Sequence, residues 1–233
     1  MKKVVFWAAG LLFISTQALA SISGTAHDLS SGGSAAFRST NVDEICVFCH
    51  TPHAASTQVT NAPLWNRPDA AALVVGDLYQ GSSLTTHSLP ATVLAAVNAS
   101  DARLCLSCHD GASMAAAVLV NPPNYNDSGV PMNPDGSEVA YTGTGEITGF
   151  ANLYRDSQKL KDDHPIGMNY ESVVTDTTGK FKNKGATGLR FFGAGENIMW
   201  CATCHNVHTH DQGEPFLAKG NSGSALCLAC HDK

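Results

Sequence analysis

All eight cysteines of this 233-residue chain fall into one repeated pattern, and nothing else in the sequence restricts the fold as tightly. The pattern is C-x-x-C-H: Cys46-Val-Phe-Cys49-His50, Cys105-Leu-Ser-Cys108-His109, Cys201-Ala-Thr-Cys204-His205 and Cys227-Leu-Ala-Cys230-His231, with no cysteine left over. Two thiols one helical turn apart can add to the two vinyl groups on one porphyrin edge, and the next residue then brings an imidazole under the iron. A disulfide framework, zinc sites or redox dithiols would each account for a cysteine set of this size but not for the histidine that closes every pentad. Four covalently bound c-type haems account for all of it.

The composition is that of a chain with weak means of building its own core. Charged residues make up 15% and aromatics 7%, and Ala, which buries little surface, supplies much of the 43% that is hydrophobic. The 21 glycines and 10 prolines exclude a coiled coil or helix bundle. Porphyrin plates would supply the missing apolar surface. The expected fold is therefore mostly irregular coil with short helices and a few small hairpins, wrapped round a haem stack. Phe48, Trp65 and Trp200 are expected to pack on ring faces. A chain without its haems should be largely unfolded.

The first twenty residues read as a secretory signal: Lys2 and Lys3, an apolar run from Val4 to Ile14 too short to span a bilayer, and a small-x-small site at Ala18-Leu19-Ala20. The alternative is an uncleaved anchor. With residues 1–20 removed, the mature chain 21–233 has 12 basic against 20 acidic residues, an excess of 8 negative charges. No basic stretch suggests nucleic acid, no later run suits a membrane span, and the first cysteine, Cys46, is too far along for a lipid anchor. Export to the cell surface or beyond is expected, with the periplasm as the alternative.

Of the 10 histidines, His50, His109, His205 and His231 close pentads as proximal iron ligands. The other six, His27, His53, His87, His164, His208 and His210, are enough to make every iron bis-histidine. Met114, Met132, Met168 and Met199 are alternatives that would raise the potential. His53 and His208 each lie three residues after a proximal ligand, and three residues reach at most ~11 Å, too short a link to pass round a porphyrin. Each is thus expected to serve a haem other than its own, His53 the second and His208 the fourth. The first and third irons draw on His27, His87, His164 and His210. The acidic neighbours and Pro165 favour His164, and His27 is favoured with it. Surface or supporting roles suit His87 and His210 better.

The pentads start 59, 96 and 26 residues apart. The sequence of pentad, offset histidine and pentad occurs twice, which suggests two diverged haem-pair modules, roughly 21–120 and 150–233, within one domain. Ala91–Val97 and Gly111–Val120 are expected as short helices. Hairpins are expected for Glu138–Tyr141 with Glu146–Phe150 and for Val173-Val174 with Phe181.

The ordered set His27-Asp28-Leu29-Ser30, the run from Cys46 ending in CHTPH, CLSCHDG at 105–111, DHPIG at 163–167 and the closing pair of pentads resembles multihaem c-type cytochromes of metal-reducing bacteria, in particular extracellular tetrahaem nanowires. The resemblance implies bis-histidine irons throughout, stacked subunits, and one iron whose sixth ligand comes from the neighbouring subunit. His27, on a short N-terminal arm, is the expected donor in a head-to-tail homopolymer; closing the first haem of its own chain is the alternative. The expected function is haem-to-haem electron transfer from periplasmic donors to external acceptors such as metal oxides, without catalysis. The competing readings are a monomeric periplasmic shuttle and a multihaem reductase, the latter requiring an open iron position.

Overall fold

A computed structural model describes residues 22–53, 55–56, 64–68, 70–111, 124–125, 131–132, 140–143, 145–209 and 215–233. Regular structure is sparse and local. Helix α1 (Pro90–Asn98) opens on a proline, whose fixed φ suits the first helical position, and it buries Val93 and Val97. The side chain of Asn98 accepts the Leu73 N–H at 2.8 Å and donates to the Leu73 carbonyl at 2.9 Å, so the helix end pins a coil segment. Helix α2 (Ala102–His109) carries the second pentad and turns Leu104 and Leu106 inward. Helix α3 (Tyr170–Asp176) starts where Asn169 Oδ1 accepts the Ser172 N–H. The one-turn helices α4 (Lys184–Thr187), α5 (Cys201–Cys204) and α6 (Cys227–Cys230) follow.

The paired strands among the described residues are two residues each, Asn124–Tyr125 antiparallel to Pro131–Met132. Elsewhere, single bridges such as His50 with Trp65 and Leu78 with Leu160 hold the coil together. The architecture is thus mostly coil with short helices, as the composition predicts. Ala91–Val97 is helical as expected; all of Gly111–Val120 beyond Gly111 lies outside the described residues.

Both expected hairpins need correction. Val173 and Val174 lie inside α3, because the Asn169 cap and the burial of Tyr170 and Val173 on one face favour a helix over an exposed strand pair. Tyr141 bridges Ser39, and Gly149–Ala151 forms a single 3-10 turn, so the two arms do not pair there; residues 138 and 139 lie outside the described set.

One buried cluster joins the two halves of the sequence: Leu78, Val93, Val97 and Leu106 pack with Leu160, Met168, Tyr170, Val173, Phe191 and Met199. Gly167 allows this closeness. Its φ is +83°, and a Cβ there would fall 2.4 Å from Val97 Cγ2. The Gly167 N–H meanwhile bonds the Met199 carbonyl at 2.7 Å, tying the DHPIG run to the approach of the third pentad. A smaller cluster of Leu29, Ala35, Val42 and Phe48 lies around the first pentad.

Candidate haem-binding site

Each pentad is folded as a turn that puts its thiols and imidazole together. In the first, third and fourth, the N–H of the histidine bonds the carbonyl of the first cysteine, at 2.8 Å for His50, 3.0 Å for His205 and 2.9 Å for His231. The second occupies the last turns of α2. At the third, Thr203 Oγ1 accepts the Trp200 N–H and starts α5. None of the eight cysteines is in a disulfide.

The thiols follow one another in chain order. Burial and then the neighbouring Cys108 push the Cys49 thiol up to about 12. The Sγ atoms of Cys105 and Cys201 lie within 4.8 Å of each other, and a hydrogen bond with Cys105 raises Cys201 ahead of the effect of burial. Burial pushes Cys204 up to about 11, followed by Cys230 and Cys227. The first pentad thus adjoins the second, the second the third, and the third the fourth. Spacing did not give this order.

Three of the four proximal histidines face a second imidazole. Ring centroids are 5.8 Å apart for His27 and His109, 5.9 Å for His50 and His208, and 6.4 Å for His164 and His231. Two imidazoles bound to opposite sides of one metal by bonds of about 2 Å have centroids about 6 Å apart. Tautomers are set as such ligation needs: Nδ1 of His109 bonds the Ala151 carbonyl at 2.7 Å, that of His164 the Pro165 carbonyl at 2.9 Å and that of His205 the Pro215 carbonyl at 2.8 Å. A carbonyl can only accept, so each Nδ1 carries the proton and Nε2 keeps its lone pair. Burial, followed by the nearby His109 and His205, lowers His27 to about 4. Burial and then the facing imidazole lower His208 and His231 as well. The neutral ring, which is the ligating form, is favoured at all three.

These pairs differ from those the spacing suggests. His208 faces the histidine of a pentad other than its own, but that pentad is the first and not the expected fourth. His164 faces the fourth rather than the first or third. His53 is exposed and is not the imidazole facing the second pentad; His27 is. The N-terminal arm does not reach outward: Asp28 accepts hydrogen bonds from the Gly24 N–H and from the Ser30 N–H and hydroxyl, and Phe216 meets the His27 ring edge-on at 4.5 Å. A three-residue offset excludes a histidine's own haem, but long-range packing selects among the others. Asn206 and Phe216, for example, bond main chain to main chain and orient the loop that carries His208.

His87 sits at the surface, its Nδ1 2.6 Å from Asp176, and His210 lies outside the described residues. Met168 and Met199 are buried in the main cluster; Met114 lies outside the described residues, and only the backbone of Met132 is described. His205 is exposed, and among the described residues no imidazole faces it at the distance of the other pairs.

Buried polar atoms test whether these residues suit a porphyrin. His27 Nδ1, Trp65 Nε1 and Trp200 Nε1 are buried without a hydrogen-bond partner, and a buried orphan of this kind costs about 1–3 kcal/mol. All three border pentads: His27 faces His109, Trp65 lies 6.1 Å from His50, and Trp200 precedes Cys201. The two indole N–H groups are donors, and the carboxylates on a haem edge are acceptors. The residues fit the group. Phe48 is buried within the first pentad, whereas Trp200 stacks on Phe192 at 5.2 Å.

Residues 193–233, which include the third and fourth pentads, match the family described as the doubled CXXCH motif. The paired pentads mark a haem-binding c-type cytochrome of electron transfer. No curated protein matches the chain. Haem of this type is attached outside the cytoplasm, and among the described residues no helix is long and apolar enough to cross a membrane.

Proposed function

We propose that the chain is a tetrahaem electron conduit, with one haem on each pentad and histidine on both sides of each iron. The observation that carries this reading is the succession of attachment sites: the sulfurs of Cys105 and Cys201 lie within 4.8 Å of each other, Cys108 is near enough to act electrostatically on Cys49, and Cys230 and Cys227 are near enough to act on Cys204. When bound, the haems supply outer-sphere electron transfer at potentials set by ligation and burial. The protein holds each attachment turn, fixes three Nδ1 protons on backbone carbonyls and favours the neutral ring at His27, His208 and His231.

The conduit extends beyond one chain in this reading, through head-to-tail copies forming an extracellular filament that reduces external acceptors such as metal oxides. Two observations support a contact between copies. His205 is exposed without a facing imidazole among the described residues, while His53, three residues beyond the first proximal ligand, is exposed on another part of the same chain. His27 is engaged opposite His109, so the ligand reaching a neighbour passes to His53. The acidic balance of residues 21–233 favours cationic acceptors.

The exposed His205 also favours one competing reading, a reductase with an open iron. Replacing His53 by Ala in the haem-loaded protein separates the two. A conduit loses its filaments in sedimentation and gains one high-spin iron. A wild-type protein that sediments as a monomer, with one iron already open, supports the reductase. A monomer with every iron six-coordinate supports the periplasmic shuttle.

A further inference from the structure

The junction between the second and third pentads holds a half-buried carboxylate that haem attachment leaves without a chemical role. Asp101 Oδ1 accepts the Cys201 N–H at 3.1 Å, and Oδ2 accepts the Ala202 N–H at 2.7 Å. Its own carbonyl accepts the Cys105 N–H at 2.9 Å. One residue thus grips both attachment segments across 100 positions of sequence. A carboxylate oxygen of Asp101 and the sulfurs of Cys105 and Cys201 all lie within 4.8 Å of one another. With free thiols this trio would suit a metal ion. In the loaded protein both sulfurs are thioethers, and the carboxylate remains against two haem edges.

We propose that Asp101 sets the reduction potentials of the two haems on the second and third pentads, as a fixed negative charge lodged between their attachment edges. The inference rests on both pentads carrying haem. Ferric haem has one more positive charge than ferrous haem, so a neighbouring anion favours the oxidised form of both. Among the described residues no lysine or arginine forms an ion pair with Asp101 to cancel its field. Both carboxylate oxygens accept N–H bonds, the role of an ionised group, and protonation would set an O–H against one of those donors unless the carboxyl turned. Burial pulls the other way, raising its proton affinity despite the Ala202 and Cys201 N–H bonds. In this partly desolvated setting a unit charge acts more strongly than at the surface.

The test is spectroelectrochemical titration of haem-loaded full-length protein carrying Asp101→Asn, with Asp176→Asn at the exposed His87 pair as the control. Mass spectrometry first counts the haems per chain, and the low-spin spectrum reports intact ligation. At fixed applied potential, D101N should raise the reduced-to-oxidised ratio on the order of tenfold at two of the haems, and much less at the others. D176N should leave all of them in place. D101E keeps the charge and should keep the wild-type titration. Unchanged curves in D101N, or an equal shift at every haem, overturn the proposal; so does a D101E curve displaced as far as that of D101N, since the clamp and not the charge would then be responsible. If D101N fails to load haem, D101E decides alone, with wild-type potentials supporting the charge and displaced ones refuting it. Wild-type protein with no haem on the second or third pentad would instead refute the tetrahaem reading.

Discussion

The second and third pentads adjoin one another, yet among the described residues only the second has an imidazole facing its histidine. The second closes a helix of eight residues, Ala102–His109, and its histidine faces His27, whose N-terminal arm is locked by Asp28 and Phe216. The third sits on a four-residue turn, and its exposed His205 has its Nδ1 fixed by Pro215 but no facing imidazole among the described residues. Both prepare the proximal ring in the same way. Among the described residues only the supply of the opposite ring differs, and it is this difference that the proposed contact between copies would make up.

Removing the haems should erase that difference altogether. The two apolar clusters are small, three buried polar atoms beside the pentads lack hydrogen-bond partners, and most of the described chain is coil. Chain produced without haem attachment should show no cooperative thermal transition by circular dichroism, and a sharp melt would mean the polypeptide core suffices alone. The next largest effect is His27→Ala, which should make the second pentad resemble the third. One more iron should become high-spin and residues 22–42 should lose protection from proteolysis, whereas an unchanged low-spin count would break the pairing of His27 with His109.

A smaller, pH-dependent effect concerns the segment leading to His164. Burial acts to raise the Asp77 carboxyl, but the Val74 N–H and Lys159, 3.0 Å away, outweigh it and hold it below the usual range. A carboxyl depressed in the folded state contributes stability that is fully present above the unfolded value of about 3.9 and is lost as pH falls through the lower folded value. Exchange protection of the Leu160 amide, bonded to the Asp77 carbonyl at 3.0 Å, should therefore persist down to about pH 4 and weaken only below it. Loss of protection near neutrality would point to the histidines instead.

The pentads made much of this molecule legible in the sequence. Their spacing required the attachment turns, and the weak composition pointed to coil around a cofactor. The Ala-rich run at 91–97 read correctly as a helix because Pro90 starts it and Val93 and Val97 share a face. The partners of the distal histidines were not legible. His208 and His50, and His27 and His109, are brought together by main-chain contacts such as Asn206 with Phe216 and Ser39 with Leu29, which leave no local pattern. Val173 and Val174 read as a strand by β-branching, but the Asn169 cap and burial against the core decided for a helix. Asp101 carried no signal, since its partners lie a hundred residues away and its meaning depends on the neighbouring pentads.

In the proposed conduit the chain completes three bis-histidine sites by itself, and the iron of the third pentad takes its sixth ligand from another copy. Carbon monoxide titration of the reduced protein, followed across a dilution series alongside sedimentation, tests this most directly. Assembled material should bind none, and fully dissociated chains should bind one equivalent per chain. Dissociated chains that bind none, or assembled material that binds as much as dissociated chains, would contradict it.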